Sequence, residues 1–238
     1  MPDDPYNLSL SVFFPCYNEA GNIERVVGRA REALPRLVTD WEIIVVNDGS
    51  TDATGEIADR LAADDRRVRV VHLASNGGYG LALRGGFDAA TKDYVFFTDG
   101  DGQFDIAELR MLLELVGRFD IIMGYRRRRS DHLVRRFNTW CWTRLVCAVL
   151  GFKCRDVDCA FKLMRRALPL GMSLKSTGAL INAELLGKAA ARGLTFAELP
   201  VTHYRRCAGS PTGAKIGVIL RAFAELVRLR RDITRPGG

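Results

Sequence analysis

Histidine, paired cysteine and long apolar runs are what this 238-residue chain has least of. Three histidines are present, and Cys16, Cys141, Cys147, Cys154, Cys159 and Cys207 are scattered with no Cys-x-x-Cys pair. Neither a zinc cluster nor a disulfide framework is expected, and reduced core thiols are the default. No stretch reaches the apolar length of a membrane span, since the longest candidate, Leu145 to Phe152, is far too short. The opening MPDDPYN is acidic and has no apolar h-region, so no secretory signal is expected. No Gly/Ser/Pro-rich linker, internal repeat or low-complexity tract breaks the chain, and 47% hydrophobic content is ordinary for one α/β domain.

What is present is a series of apolar strands that end in polar loops. Leu8 to Phe14 leads into Pro15-Cys16-Tyr17-Asn18-Glu19, and Trp41 to Val46 leads into Asn47-Asp48-Gly49-Ser50-Thr51-Asp52. Val68 to Leu73 leads into Asn76-Gly77-Gly78-Tyr79-Gly80. Helical spacing follows each of them, in Ile23, Val26, Val27 and Ala30, then Ile57, Ala58 and Leu61, then Leu83 and Phe87. Alternating strand and helix predicts a mostly parallel sheet with right-handed crossovers and its polar loops on one rim. The fourth strand, Tyr94 to Thr98, delivers Asp99-Gly100-Asp101-Gly102-Gln103. Two acids at i, i+2 beyond a strand can share one hard divalent cation and leave positions for water and phosphate oxygens. Two solvated acids in a glycine turn are the plain alternative.

Taken in order, PCYNE, NDGSTD, NGGYG and DGDGQ resemble the family-two glycosyltransferases of GT-A fold. DVDCAFKLMRR (Asp156 to Arg166), Glu184 and PVTHYRRCAGS (Pro200 to Ser210) extend the resemblance toward the polyprenyl-phosphate branch, typified by dolichyl-phosphate mannose synthase. The resemblance covers about residues 8 to 215 and implies a GT-A, Rossmann-like, mostly parallel sheet flanked by helices. It divides the chain into a domain over 1–213 (nucleotide-sugar half about 8–125, acceptor half about 126–213) and a C-terminal amphipathic helix and tail over 214–238. It also implies a nucleotide sugar held by Pro15, Tyr17, Glu19, Asp48, Asn76, Gly77, Asp99, Gly100 and Asp156. Mg²⁺ or Mn²⁺ would sit on Asp99 and Asp101, with Gln103 near, and assist departure of the nucleoside diphosphate. Asp99, Asp101, Arg126 and Arg206 are the catalytic candidates. Arg126, Arg135, Thr139 and Ser210 are those for an acceptor phosphate, which is already largely dianionic at neutral pH and needs guidance rather than a base. The family usually carries Lys soon after the residue matching Ser210, but Pro211 stands here and the next Lys is Lys215.

Some residues read two ways. Asp158 and Lys162 lie in the segment beside the donor sugar, or they form a salt-bridged helix start in which Asp158 caps and Lys162 pairs. Ser50 or Thr51 also suits a helix cap. Glu184 is a buried partner for Arg206 or a surface glutamate, and His203 reads as structural.

The formal charge is +7, with Arg126 to Arg129, Arg135 and Arg136 clustered and more arginines near the C-terminus. Such a run is a solvated face, a phosphate wall or a contact with an anionic membrane. No nucleic-acid recognition motif accompanies it, so no nucleic-acid partner is expected. Trp140 and Trp142 among arginines suit a lipid interface. In 214–231 an apolar face of Ile216, Ile219, Leu220, Phe223, Leu226 and Val227 suits the interface or packing on the domain's own core.

The expected activity is transfer of one sugar from GDP-mannose or UDP-glucose to a polyprenyl phosphate, by a peripheral protein on the cytoplasmic membrane face. A separate membrane subunit that presents the lipid stays open. The processive QxxRW string is absent from the sequence. The alternatives are a family member with a sugar, protein or small-acid acceptor, a nucleotidyltransferase, and an inactive basic module that binds membrane or nucleic acid.

Overall fold

The computed structural model describes residues 5–129, 133–206 and 225–233, with backbone alone for 128, 129 and 133–136. The strands and helices are β1 (Tyr6–Cys16), α1 (Ile23–Ala33), β2 (Val38–Asn47), α2 (Thr54–Asp64), β3 (Val68–His72), α3 (Tyr79–Ala89) and β4 (Tyr94–Thr98). They continue as α4 (Leu109–Leu113), β5 (Ile121–Arg129), α5 (Leu133–Leu150), β6 (Phe161–Arg165), α6 (Ala167–Leu170), α7 (Ile181–Ala191) and β7 (Phe196–His203). Residues 225–233 are helical.

Seven strands form one sheet in the order β3-β2-β1-β4-β6-β5-β7. The β1/β2, β2/β3, β1/β4 and β5/β7 pairs are parallel, whereas β6 runs antiparallel to both β4 and β5. The four strands read from the sequence are present, and they point their carboxyl ends at one rim. In β1, β2 and β4 the β-branched and aromatic runs are buried on both faces, as a helix-covered parallel sheet requires, whereas the edge strand β3 buries only Val68. Behind that rim Phe13, Phe87 and Phe97 form a triad, with ring centroids 5.2, 5.5 and 5.7 Å apart. Ile23, Val26, Val27 and Ala30 of α1 are buried at helical spacing and fix that helix to the sheet.

Two expectations are corrected here. The segment after Asp158 is not a helix start, because Phe161–Arg165 is the antiparallel strand β6. Its apolar residues insert between β4 and β5, so sheet burial overrides the i, i+4 charge pattern. The described part of the C-terminal segment packs on the domain, with Leu226 and Leu229 buried and Ile233 against Gly187 of α7. Val227, expected on the same apolar face as Leu226, is exposed. Residues 214–224, with the expected boundary at 213/214, lie outside the described residues.

Candidate active site

The loops after β1 and β2 hold each other through side chains that bond to backbone. Asn18, at φ 55°, donates its N–H to Ser50 Oγ at 3.0 Å and accepts the Thr51 N–H at 2.8 Å. Asp52 accepts the N–H groups of Ala20 and Thr54, and Thr54 Oγ1 accepts the Glu19 N–H at 2.8 Å. Neither Ser50 nor Thr51 caps α2, whose N-cap residue is Ala53, because Ser50's hydroxyl is used across the rim. Tyr17 is left 39% exposed beside this clasp, free to lie against a planar base.

Asp48 reaches the third loop. Its two oxygens accept the Gly77 and Gly78 N–H groups at 2.8 and 3.0 Å, so the buried carboxylate fixes the Asn76-Gly77-Gly78 turn while Asn76 stays exposed. On the other side Gly80 donates its N–H to Thr177 O at 2.7 Å. A Cβ on Gly80 would lie 2.3 Å from Ser176 O, so only glycine permits this approach. Glu184 shapes the loop that presents those carbonyls. It accepts the Lys175 and Ser176 N–H groups and pairs with Lys188 at 2.8 Å. Glu184 is therefore a buried structural acid and not Arg206's partner, because the backbone of 175–176 lies within its reach.

The acid pair stands at the end of β4. Gly100 donates its N–H to Pro15 O at 3.4 Å, and this ties the loop to β1. Asp99 Oδ1 is buried and has no hydrogen-bond partner among the described residues. Burial and then the charge of Asp101 push the Asp99 carboxyl up to about 7, against the opposing influence of Tyr79, Arg126 and Lys162. Asp101 is 9% exposed and is also raised by burial, opposed by the Gln103 N–H that it accepts at 3.0 Å and by Arg206 and Arg126. The Gln103 side chain does not turn toward the acids with its amide nitrogen, which donates to Tyr204 O at 2.8 Å, and the Tyr204 N–H returns to Gln103 O at 2.8 Å. The acidic loop is thereby stitched to the segment that follows β7.

Cations surround the pair. Arg126 leaves β5 and forms a two-pronged pair with Asp156, Nε to Oδ2 at 2.6 Å and a terminal nitrogen to Oδ1 at 2.7 Å. Burial opposes its charge, but Asp156 outweighs burial and holds the guanidinium protonated. Asp156, in the segment where a carboxylate was expected to reach a sugar hydroxyl or to orient an arginine, thus orients Arg126. Arg206 pairs with Glu19, whose carboxyl burial raises against the pull of Asn22 and Arg206. Lys162 is completely buried, and its ammonium donates to Val157 O at 3.2 Å, to Cys159 O and to Asn182 Oδ1 at 2.9 Å. Burial pushes its pKa down and, together with repulsion from Asp156, lifts the neighbouring Asp158 carboxyl to about 6.

One contributor, Tyr79, escaped the sequence reading, and another, Lys162, was read two ways. Tyr79 places a buried hydroxyl beside Asp99, and Lys162 places a buried ammonium behind it. The NGGYG string carried the first signal, since α3 begins at its Tyr, but the helical reading of Lys162 hid the second. Thr139 lies part-exposed on α5. Arg135 is placed by backbone only, and Ser210 and Gly209 lie outside the described residues. Among the described residues no set of three His, Cys, Asp or Glu side chains forms a metal cluster. Two carboxylates, one with an orphaned buried oxygen, nonetheless fit a hard cation that completes its shell with water and phosphate oxygens.

On α5, Phe137 is 63% and Trp140 54% exposed, with their rings stacked at 6.1 Å. Trp142 packs against the core instead, because two positions along α5 turn it from Trp140's face. No described helix is long and apolar enough to cross a membrane.

The sheet order and the loops gathered at its carboxyl rim define a GT-A glycosyltransferase domain. The family model of glycosyl transferase family 2 matches residues 11–169, and the chain belongs to that family. It is 32% identical to the polyprenol monophosphomannose synthase of Mycolicibacterium smegmatis, over 94% of this chain and 89% of that protein. It is 33% identical to the dodecaprenyl-phosphate galacturonate synthase of Rhizobium johnstonii, over 70% of this chain and 50% of that protein, so it spans half of that relative's length. Among solved structures it resembles the glucosyl-3-phosphoglycerate synthase of Mycobacterium tuberculosis crystallised with Mn²⁺, UDP and phosphoglyceric acid. The TM-score is 0.73 at 20% identity, over 97% of this chain and 80% of that one, a likeness of fold.

Proposed function

We propose that this glycosyltransferase moves one sugar from a nucleotide-diphosphate sugar, GDP-mannose or UDP-glucose, to a polyprenyl phosphate at the cytoplasmic membrane face, with inversion of the anomeric centre. The observation that carries the reading is the Asp99–Asp101 pair, which is buried, raised in pKa and flanked by Arg126 and Arg206. The relatives' names add the acceptor class, since polyprenyl phosphates recur in them.

Asp99 and Asp101 would hold Mg²⁺ or Mn²⁺, which supplies Lewis-acid neutralisation of the leaving diphosphate. Tyr17 takes the base, and the clasp of Asn18, Ser50 and Asp52 keeps that loop in place. Arg126, aimed by Asp156, guides the acceptor phosphate, whose oxygen donates an electron pair to the anomeric carbon as the bond to the nucleoside diphosphate breaks and the departing diphosphate oxygen takes that bond's electrons. No base is required, because the attacking oxygen carries no proton at neutral pH. Arg135, Thr139 and Ser210 would complete the acceptor cradle, and Arg206 would close on the diphosphate. Stacked Phe137 and Trp140 would seat the domain at the lipid interface.

A donor panel of GDP-mannose, UDP-glucose and UDP-GlcNAc, each with Mg²⁺ or Mn²⁺ and a C55 polyprenyl phosphate, tests the reading. Label from one donor should enter the organic phase and be lost in Asp101→Ala. Label that passes only to a soluble acceptor would remove the lipid assignment, and the absence of any donor turnover would remove the catalytic one.

A further inference from the structure

A cavity of about 780 Å³ is lined in part by α1. Arg25 and Arg29 of α1, Arg36 just beyond it, Arg110 of α4 and Arg205 line it, and Arg110 donates to Arg36 O at 3.5 Å. Only Glu32 and Asp105 oppose these five guanidinium groups in the lining, and Asp105 already accepts the Ala107 N–H at 3.0 Å. An arginine run on a convex surface is ordinarily a solvated face. Here residues from α1, from the turn before α4 and from beyond β7 converge on one concave volume. Like charges gathered around a concavity repel, and an anion that accepts from several forks at once relieves that repulsion. The volume lies within the range of small-molecule sites and exceeds what one phosphate group needs.

The cavity also touches the metal loop. Gly102, at φ 71°, lines it, and a Cβ there would lie 2.4 Å from a terminal nitrogen of Arg25. Arg25 therefore rests against the backbone that joins Asp101 to Gln103. Tyr204, which exchanges hydrogen bonds with Gln103, lines the same space. We propose that this cavity is a second anion site, separate from the donor site at Asp99 and Asp101, which takes a phosphate-bearing ligand and reports its occupancy to the metal loop through Arg25 and Gly102.

The test uses the full chain with EDTA present, so that the cation-dependent site is not recruited, and pyrophosphate as the calorimetric probe. Arg29→Gln/Arg36→Gln is the informative variant, since both side chains are exposed and its melting temperature should match that of the wild type. Loss of pyrophosphate affinity by about tenfold or more in this variant, with Asp101→Asn binding as the wild type does, is the expected result. Sedimentation with phosphatidylcholine vesicles, with and without phosphatidylglycerol, identifies the ligand's source. Vesicle binding that falls in the double variant assigns a lipid headgroup, and unchanged vesicle binding beside lost pyrophosphate affinity assigns a soluble phosphate. If the double variant alters neither binding, the cavity is not an anion site and the proposal is overturned.

Discussion

The two ends of the sheet treat buried carboxylates in opposite ways. Toward the amino ends of the strands, Glu42 of β2 accepts from Ser11 Oγ at 2.6 Å, from the N–H and hydroxyl of Thr91 at 2.7 Å each, and from Arg69 at 2.9 Å. Burial pushes its pKa up, but these bonds outweigh burial and leave the carboxyl below its usual range. At the carboxyl rim Asp99 is partly exposed, yet its Oδ1 is buried with no hydrogen-bond partner among the described residues and its carboxyl rises to about 7. A buried acid with every lone pair engaged holds a fold together. One left with an unfilled acceptor and a like charge beside it is costly, and this cost marks a place that a ligand is meant to relieve.

The largest effect should come from breaking the rim pair. Asp101→Ala should lower sugar transfer by about a thousandfold, measured as kcat with the labelled donor, because electrostatic stabilisation of the leaving group is commonly the largest catalytic contribution. Disturbing the guiding arginine comes next. Asp156→Asn leaves a buried guanidinium without its counter-charge and should cost about 3 kcal/mol of stability by urea unfolding. The same variant should raise the KM for the phosphate acceptor more than that for the donor.

The two carboxylates should also pull stability in opposite directions with pH. Glu42's folded pKa lies below its unfolded value, so its contribution is present above about pH 4.5 and is lost on acidification. Asp99's folded pKa lies above its unfolded value of 3.8, so the metal-free protein should lose stability as pH rises from there to about 7. Asp99→Asn should flatten the second slope, and Glu42→Gln should flatten the first and lower the melting temperature at neutral pH. Identical profiles for the two variants in a chelated thermal-melt series would remove the distinction between the rims. The smallest effect on the fold should come from Trp140→Ala, within about 0.5 kcal/mol because the ring is exposed. That variant should weaken vesicle binding and leave turnover of a short-chain acceptor unchanged.

Sequence made the parallel core legible because its strands are continuous apolar runs and its helices repeat at 3.6 residues. Leu83, Phe87, Ala58 and the α1 stripe all fall where that periodicity puts them. The place of the acid pair was legible for a related reason, since Asp99 and Asp101 directly follow the apolar run of β4. Partnerships across the chain were not legible. Nothing local reveals that Asp156 meets Arg126 across 30 residues, or that Asp48 holds the Gly77–Gly78 turn. The antiparallel β6 was hidden because Asp158 and Lys162 carry a helical charge spacing, while its strand character depends on neighbours far along the chain.

The exchange of hydrogen bonds between Gln103 and Tyr204 spans 101 positions. During synthesis the first four strands can pair and bury Phe13, Phe87 and Phe97 long before Tyr204 is made. The acidic loop gains this anchor only when the chain beyond β7 arrives, late among contacts whose closure slows with separation. A nascent chain halted before residue 204 would hold a well-packed sheet with its acidic loop untethered at that point. The anchoring of the acidic loop would therefore come after the assembly of the sheet it stands on.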